Sequence, residues 1–391
     1  MRIPGYAIHD ISELHLSRAC DGMGTGGIVM TELRFSAYGV RADSHVNAPE
    51  VFVTVTKNEQ ELSLPRFRLD THVVHSGRID FVCYDRMAFA DKIKFTENDL
   101  ALFGVDLVSM KNQRDALEAE IMVVEKGSEV YRRIESQIEM LNSQIRTAEQ
   151  TQITSADILN ITAQKMNLTF GGLTGDTTAK TDITAIPGTS CADWLQSISA
   201  VNCGFFYVSN DDRLMFCRFY EDTVPAVGIV DNAYTLPDIG ETVTADGFVL
   251  YADSGTVYDR SAGAEYIITI NGGSLADADT PDKIEALFDG TTETDYTYGS
   301  VEKAVISNFP YCNAPCSVQG GDLRINNISA VISSFGILAS LSANQATVGE
   351  IGEFMGKLAR QTEKSLKTGE KLGKYYCMTR YQGGYWQDSK E

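Results

Sequence analysis

Apolar and polar positions alternate along much of residues 1–106. In Glu32-Leu33-Arg34-Phe35-Ser36-Ala37 every second residue is apolar, and Arg78-Ile79-Asp80-Phe81-Val82-Cys83 places Ile79, Phe81 and Cys83 on one face. Val51, Val53 and Val55 repeat the spacing. Successive side chains of a strand point to opposite faces, so a period of two predicts half-buried strands. Breaks containing Gly or Pro at 22–27, 47–49 and 64–66 cut the run into short pieces. Many short strands between such breaks predict a barrel or a sandwich.

The period changes over 107–150, which holds no Pro and one Gly. Leu117, Ile121 and Val124 fall at i, i+4 and i+7, and Ile134, Ile138, Leu141, Ile145 and Ala148 are spaced by 4, 3, 4 and 3. That is a heptad seam. Two antiparallel helices interrupted at Lys126-Gly127-Ser128, or one long helix, satisfy it. Helices this short are marginal alone, so they need a surface: their own domain, or another copy in a coiled coil.

Residues 151–222 mix the two periods. Ser155-Ala156-Asp157-Ile158-Leu159 opens a helix, with Ser155 as the expected N-cap. A Gly/Thr-rich loop spans 171–189, and the helix from Cys191 to Asn202 aligns Trp194, Ile198 and Val201 on one side. Two strands, Gly204–Val208 and Arg213–Cys217, flank a turn at Ser209-Asn210-Asp211-Asp212. Residues 223–345 return to strands, clearest at Tyr266–Ile270 and over Ile332–Leu341, with a short helix near Pro281–Phe288. From Thr347, Ile351, Phe354, Leu358 and Leu366 predict a helix. The expected fold is therefore mainly β with α insertions (α+β). It is divided into a first β-barrel (1–106), a helical hairpin or coiled-coil insertion (107–150), a mixed α/β middle domain (151–222), a second β-barrel (223–345) and a helical C-terminal tail (346–391).

Composition narrows the function classes. Of 391 residues, 43% are hydrophobic and 22% charged, ordinary for a soluble globular protein. No apolar run approaches the ~20 residues of a membrane helix, and the first ten residues lack the pattern of a secretory signal. The chain is expected to be made in the bacterial cytoplasm and not to insert into a membrane. Net charge is −20 and uneven: residues 221–303 hold 17 Asp or Glu against Arg260, Lys283 and Lys303. Gripping a phosphate backbone takes clustered Lys and Arg, so specific nucleic-acid binding is not expected. An acidic surface either keeps the chain soluble or lets DNA slide past without sticking.

Candidate chemistry is thin. Eight cysteines (Cys20, Cys83, Cys191, Cys203, Cys217, Cys312, Cys316 and Cys377) are scattered, mostly among apolar neighbours, as buried thiols would be. Gly22, Gly24 and Gly27 formally make GxGxxG, but an alternating strand follows where a dinucleotide site needs a helix. His72 and His75, three apart in a strand, face opposite ways, and no histidine follows His75. Cys312 and Cys316 lack a second ligand pair, and Asp277, Asp279 and Asp282 lack the spacing of an EF-hand loop. Trp194 and Trp386 are the only tryptophans, too few for a sugar-stacking cleft. The expectation is an uncatalytic chain: no catalytic, cofactor-binding or metal residues, and no cofactor.

Several segments carry a family resemblance. Leu14-His15-Leu16-Ser17-Arg18, then the Gly-rich break and Glu32-Leu33-Arg34-Phe35, resembles the opening of baseplate hub proteins of contractile phage tails and tailocins in Gram-positive prophages. Phe81-Val82-Cys83-Tyr84-Asp85-Arg86-Met87 is similar to that family's strand ending in a Tyr-Asp pair and leading into a helix. Ser155–Leu159, Cys191–Leu195 and the Gly204–Phe219 hairpin resemble its middle domain, and Gly336-Ile337-Leu338-Ala339-Ser340-Leu341 its closing strand. The resemblance implies a virion structural protein with two barrels per chain. Three copies would form a pseudo-sixfold ring that adapts a sixfold tail tube to a threefold spike. It also implies a set of partners: a homotrimer, the tail tube protein, the central spike protein, other baseplate (wedge or LysM-type) proteins and the end of the tape-measure protein. Such a chain ends up in the phage tail or injection particle. Two departures stand out: the insertion at 107–150, and the lack of a hydrolase domain after the second β region. The competing reading is a tail-tip adhesion or carbohydrate-binding module, which should cluster exposed aromatics on loops, whereas here most lie within strand runs.

Overall fold

In the computed structural model the chain is described for residues 10–20, 27–38, 50–51, 54–57, 60–173, 175, 177–218, 224–230, 237–244, 246–252, 255–264, 267–273, 275–288, 295–333 and 336–343. All elements below belong to the unit Met1–Gln345. The expected C-terminal tail, 346–391, lies outside the described residues. The fold is mainly β with α insertions, as expected.

The labelled strands are β1 (Leu14–Ala19), β2 (Gly27–Val29), β3 (Thr31–Tyr38), β4 (Phe67–His75), β5 (Arg78–Tyr84), β6 (Gly204–Val208), β7 (Arg213–Arg218), β8 (Asp238–Thr244), β9 (Asp295–Ile306), β10 (Asn327–Ser333) and β11 (Gly336–Ala343). The helices are α1 (Leu107–Ile121), α2 (Glu129–Glu149), α3 (Ser155–Lys165), α4 (Cys191–Val201) and α5 (Thr280–Phe288). The alternation read from sequence is realised: Leu33, Phe35 and Ala37 of β3 and Ile79, Phe81 and Cys83 of β5 are buried, and their strands pair antiparallel with Phe35 opposite Phe81. The two rings stack 4.9 Å apart.

No closed barrel is found among the described residues. The main sheet has ten strands in the open order β8-β9-β11-β10-β1-β3-β5-β4, with Glu50–Val51 beyond β4 and Asp10–Ile11 on β3. Among the described residues this path does not close. β1 pairs with β3 on one edge and with β10 on the other, so strands far apart in sequence lie side by side. A single core follows, in which Leu16, Leu33 and Phe81 share one apolar cluster with Ile328, Ala330 and Leu341.

The strand signal ends at Tyr84, and the strand with the Tyr-Asp pair leads into a helix: Arg86–Lys92 and Glu97–Phe103 are 3-10 helices. Asp85 sets the switch, because its carboxylate accepts the Met87 N–H and caps the first of them. The span Ile332–Leu341 is not one strand: β10 and β11 pair antiparallel across it.

The middle region is built on β6. This strand is buried on both faces, which explains the unbroken run Gly204-Phe205-Phe206-Tyr207-Val208. Phe205 and Tyr207 join the core of the main sheet, while Phe206 and Val208 join a second core with Trp194, Leu195 and Ile198 of α4. On its edges β6 pairs antiparallel with β7, as the Ser209–Asp212 turn predicts, and parallel with β2. Consecutive strands β2 and β3 thus serve different sheets and stitch the first region to the middle one. Gly204 is required here: a Cβ would stand 2.3 Å from the Cys217 carbonyl oxygen.

The insertion is a hairpin of two helices, and Gly127 at the break takes φ 89, a left-handed value that favours glycine. Ile134, Leu141, Ile145 and Ala148 of the heptad seam are buried, and Ile145 and Ala148 reach the second core. The N-cap of α3 is Thr154, not Ser155. Thr154 and Asp157 form a reciprocal capping box, and Ser155 is the first helical residue with its hydroxyl buried and unpaired.

Candidate functional site

Arg18 lies at an inward-facing position of β1, in phase with Leu14 and Leu16, and is 2% exposed. Its Nε donates to Thr31 Oγ1 at 2.9 Å and its Nη1 to the Pro310 carbonyl at 3.0 Å. The guanidinium stands 5.0 Å from the Phe309 ring centroid and 4.6 Å from that of Tyr311. Nη2 has no hydrogen-bond partner.

Thr31 passes the interaction on. Its N–H donates to Asp85 Oδ2 at 2.8 Å, and Asp85 Oδ1 accepts from Met87 N at 3.1 Å. Burial pushes the Asp85 carboxyl up from 3.8 to about 6, against the opposing pull of the Thr31 bonds and the positive charge of Arg18. Tyr311 extends the node into the middle region: its ring packs 4.7 Å from that of Tyr207 on β6, and its hydroxyl accepts the Asn210 N–H at 3.0 Å. One buried cation therefore ties together the first strands, the segment 309–311 and the β6–β7 hairpin. Arg18, Thr31 and Asp85, at the centre of this joint, are all buried.

A second cluster is open to solvent. Arg66, Arg68, Arg86 and Lys165 line a cavity of about 320 Å³ whose lining includes Phe67 and Phe89. Arg66 pairs with Asp212 at 2.6 Å and Lys165 with Asp99 at 2.8 Å. Arg86 donates to the Met166 carbonyl at 3.2 Å and to that of Asn167, closing the end of α3.

The residues considered for chemistry are dispersed or already engaged. Gly22 and Gly24 lie outside the described residues; Gly27 opens β2, and the next element, β3, is a strand. His75 bonds Asp80 at 3.0 Å, while His72 packs along Phe81. Asp277 accepts from the Thr280 hydroxyl and from the Thr280 and Asp279 N–H groups, and Asp282 pairs with Arg260 at 3.2 Å. Cys312 and Cys316 are buried in the main core, and burial raises the Cys316 thiol to about 11. Burial likewise holds the Cys83, Cys191 and Cys203 thiols at about 12, so they pack as small hydrophobes. Cys377 lies outside the described residues. Among the described residues there is no cluster of three His, Cys, Asp or Glu able to hold a metal, and no helix is long and apolar enough to cross a membrane.

Sequence reasoning passed over both clusters. The signal for the first was present, since Arg18 breaks the apolar phase set by Leu14 and Leu16. The second is assembled from β4, the 3-10 helix and the end of α3, and no local pattern marks it.

No family model and no curated protein sequence matches the chain. Among solved structures, the chain is similar to the 43 kDa tail protein of prophage MuSo2 from Shewanella oneidensis, with 11% identity, a TM-score of 0.41, and 85% of this chain and 93% of that one covered. It is similar to the tail protein from Neisseria meningitidis MC58 at 11% identity and a TM-score of 0.41, over 86% of this chain and 96% of that one. A third is the E. coli c3393 protein, described as a component of the type VI secretion system with structural similarity to T4 bacteriophage tail proteins gp27 and gp5. It is 9% identical with a TM-score of 0.41, over 87% of this chain and 75% of that one.

Proposed function

We propose that the chain is a structural component of a phage tail or tail-like injection particle: the baseplate hub, acting as a homotrimer that adapts a sixfold tube to a threefold spike. The observation that carries this reading is where the family-like segments fall. Leu14–Arg18, Glu32–Phe35, Phe81–Tyr84 and Gly336–Leu341 are distant in sequence. They lie in β1, β3, β5 and β11, all within one run of the main sheet in which β10 bridges β11 to β1. Segments that resemble one family converge on one frame, held at its centre by the buried Arg18 joint.

On this reading the chain works through its surfaces and catalyses nothing. Its neighbours would be the tube and spike proteins, other baseplate proteins and the end of the tape-measure protein. It would assemble in the bacterial cytoplasm before joining the particle. The test is electron microscopy of particles from cells lacking the gene. Missing tails, or loose tubes and sheaths without a tip, are expected. Complete tails that merely fail to attach to or penetrate cells would overturn the hub reading and favour an adhesion module.

A further inference from the structure

The open cavity beside β4 is unusual for this chain. The protein carries a net charge of −20, yet four of the residues lining this cavity are cationic and none is acidic. Arg66, Arg86 and Lys165 have polar partners, whereas among the described residues Arg68 has none. Arg68 lies over the Phe89 ring, 4.9 Å from its centroid, and Lys92, which shares that ring, lies 5.2 Å from the same centroid. Among the described residues, neither makes an ion pair. Stacking on Phe89 holds the Arg68 guanidinium in place while leaving its in-plane N–H donors free for a planar oxyanion. Half-buried Ile93 gives the cavity an apolar surface, with Phe67, Phe89 and Met166 buried behind it.

From this combination we propose that the cavity is a docking site for an acidic peptide segment of a partner protein. An apolar side chain of that peptide enters the cavity, and flanking carboxylates meet Arg68 and Lys92. The size supports a single anchor, since about 320 Å³ admits one large side chain with its neighbours and no folded element. The apolar surface favours a peptide over a bare inorganic anion. A nucleic acid would need a track of cations along the surface, which a chain this acidic does not provide. The inference does not depend on the hub reading and holds for any partner presenting such a segment.

The test uses the full chain and fluorescence anisotropy of an end-capped, labelled Glu-Glu-Phe-Glu-Glu peptide, with Gln-Gln-Phe-Gln-Gln as its neutral counterpart. Saturable binding of the acidic peptide is expected, at least tenfold weaker for the neutral one. The Arg68→Gln/Lys92→Gln variant should lose at least tenfold, while Lys126→Gln, in the hairpin turn, should bind like the parent. If the double variant loses its cooperative unfolding transition, Lys92→Gln alone is compared, with a severalfold loss expected. Absence of saturable binding, or equal binding by the variants and the parent, overturns the proposal. Displacement of the peptide by inorganic phosphate or a short oligonucleotide as readily as by unlabelled peptide also overturns it, because the cavity would then read anions in general.

Discussion

Replacing Arg18 with Met keeps much of the side-chain volume and removes the charge and both hydrogen bonds. Three losses combine. The Pro310 carbonyl and the Thr31 hydroxyl lose their buried donor, at about 1–3 kcal/mol for an unsatisfied group. The rings of Phe309 and Tyr311 lose a desolvated cation, about 1–2 kcal/mol. Asp85, fully buried, loses the positive charge that opposes its desolvation. Together these put Arg18→Met at about 3–5 kcal/mol of destabilisation, the range for breaking a buried charged network. The pH dependence identifies the cause. Asp85 titrates near 6 in the folded chain against 3.8 ordinarily, so the folded state holds a proton that the unfolded state has released between those values. Its contribution to stability therefore falls as pH rises from about 4 to about 6 and is flat above, a change of roughly 3 kcal/mol. Without Arg18 the carboxyl moves higher still and the fall extends past pH 6. The variant should accordingly lose more stability at pH 8 than at pH 5, and adding Asp85→Asn should recover part of the difference. Urea unfolding of the full chain at both pH values, for the parent, both single variants and the double variant, reads this directly. A cost below about 1 kcal/mol, the same cost at both pH values, or strict additivity of the two changes would refute the account of the joint.

Other substitutions test particular contacts. Thr154→Ala should cost about 1 kcal/mol by removing the capping box of α3, whereas Ser155→Ala, which deletes a buried and unpaired hydroxyl, should be neutral or slightly stabilising in the same unfolding assay. Gly204→Ala sets a methyl against the Cys217 carbonyl oxygen and the Phe216 ring, so thermal unfolding should show a loss of about 3 kcal/mol or more, larger than an ordinary overpacking. Met122→Lys and Val123→Lys, at the hairpin end where both residues are 86% exposed, should change stability by no more than about 0.5 kcal/mol. A larger loss would mean that the end of the hairpin packs against the chain itself.

How much of this was legible depended on range. Alternation fixed the buried faces of β3 and β5 because burial on one side of a sheet leaves a period of two in the sequence. The run Gly204–Val208 read as a strand, while the covering of both its faces is visible only in the fold. Closure was not legible: whether β1 pairs within its own region or with β10, more than 300 residues away, is decided by pairings that leave no local trace. The cap of α3 was misplaced by one residue, since Thr154 and Ser155 are both good caps and only the reciprocal bond to Asp157 separates them. The two charged clusters were harder still. Arg18 was visible as a polar residue in an apolar phase, yet its partners Thr31, Asp85 and Pro310 are brought together only by the fold. The cavity at Arg68 draws on three elements and has no sequence signature.

The hairpin resolves an ambiguity that the heptads left open. A seam of Ile134, Ile138, Leu141 and Ile145 serves equally well for pairing with a second copy or for folding back on the same chain. Here α1 covers it, Ile134 and Leu141 are buried, and the base is anchored through Ile145 and Ala148 into the core shared with α3 and α4. The seam is thus satisfied within one chain, and self-association is not needed to stabilise it. The most exposed apolar side chains of the hairpin are at its far end, where Met122 and Val123 contribute nothing to either core, while Met140 is exposed midway along α2. Their exposure cannot be explained by folding, because burial is what makes aliphatic side chains stabilising. The hairpin therefore divides into an anchored base that belongs to the fold and an apolar end that does not.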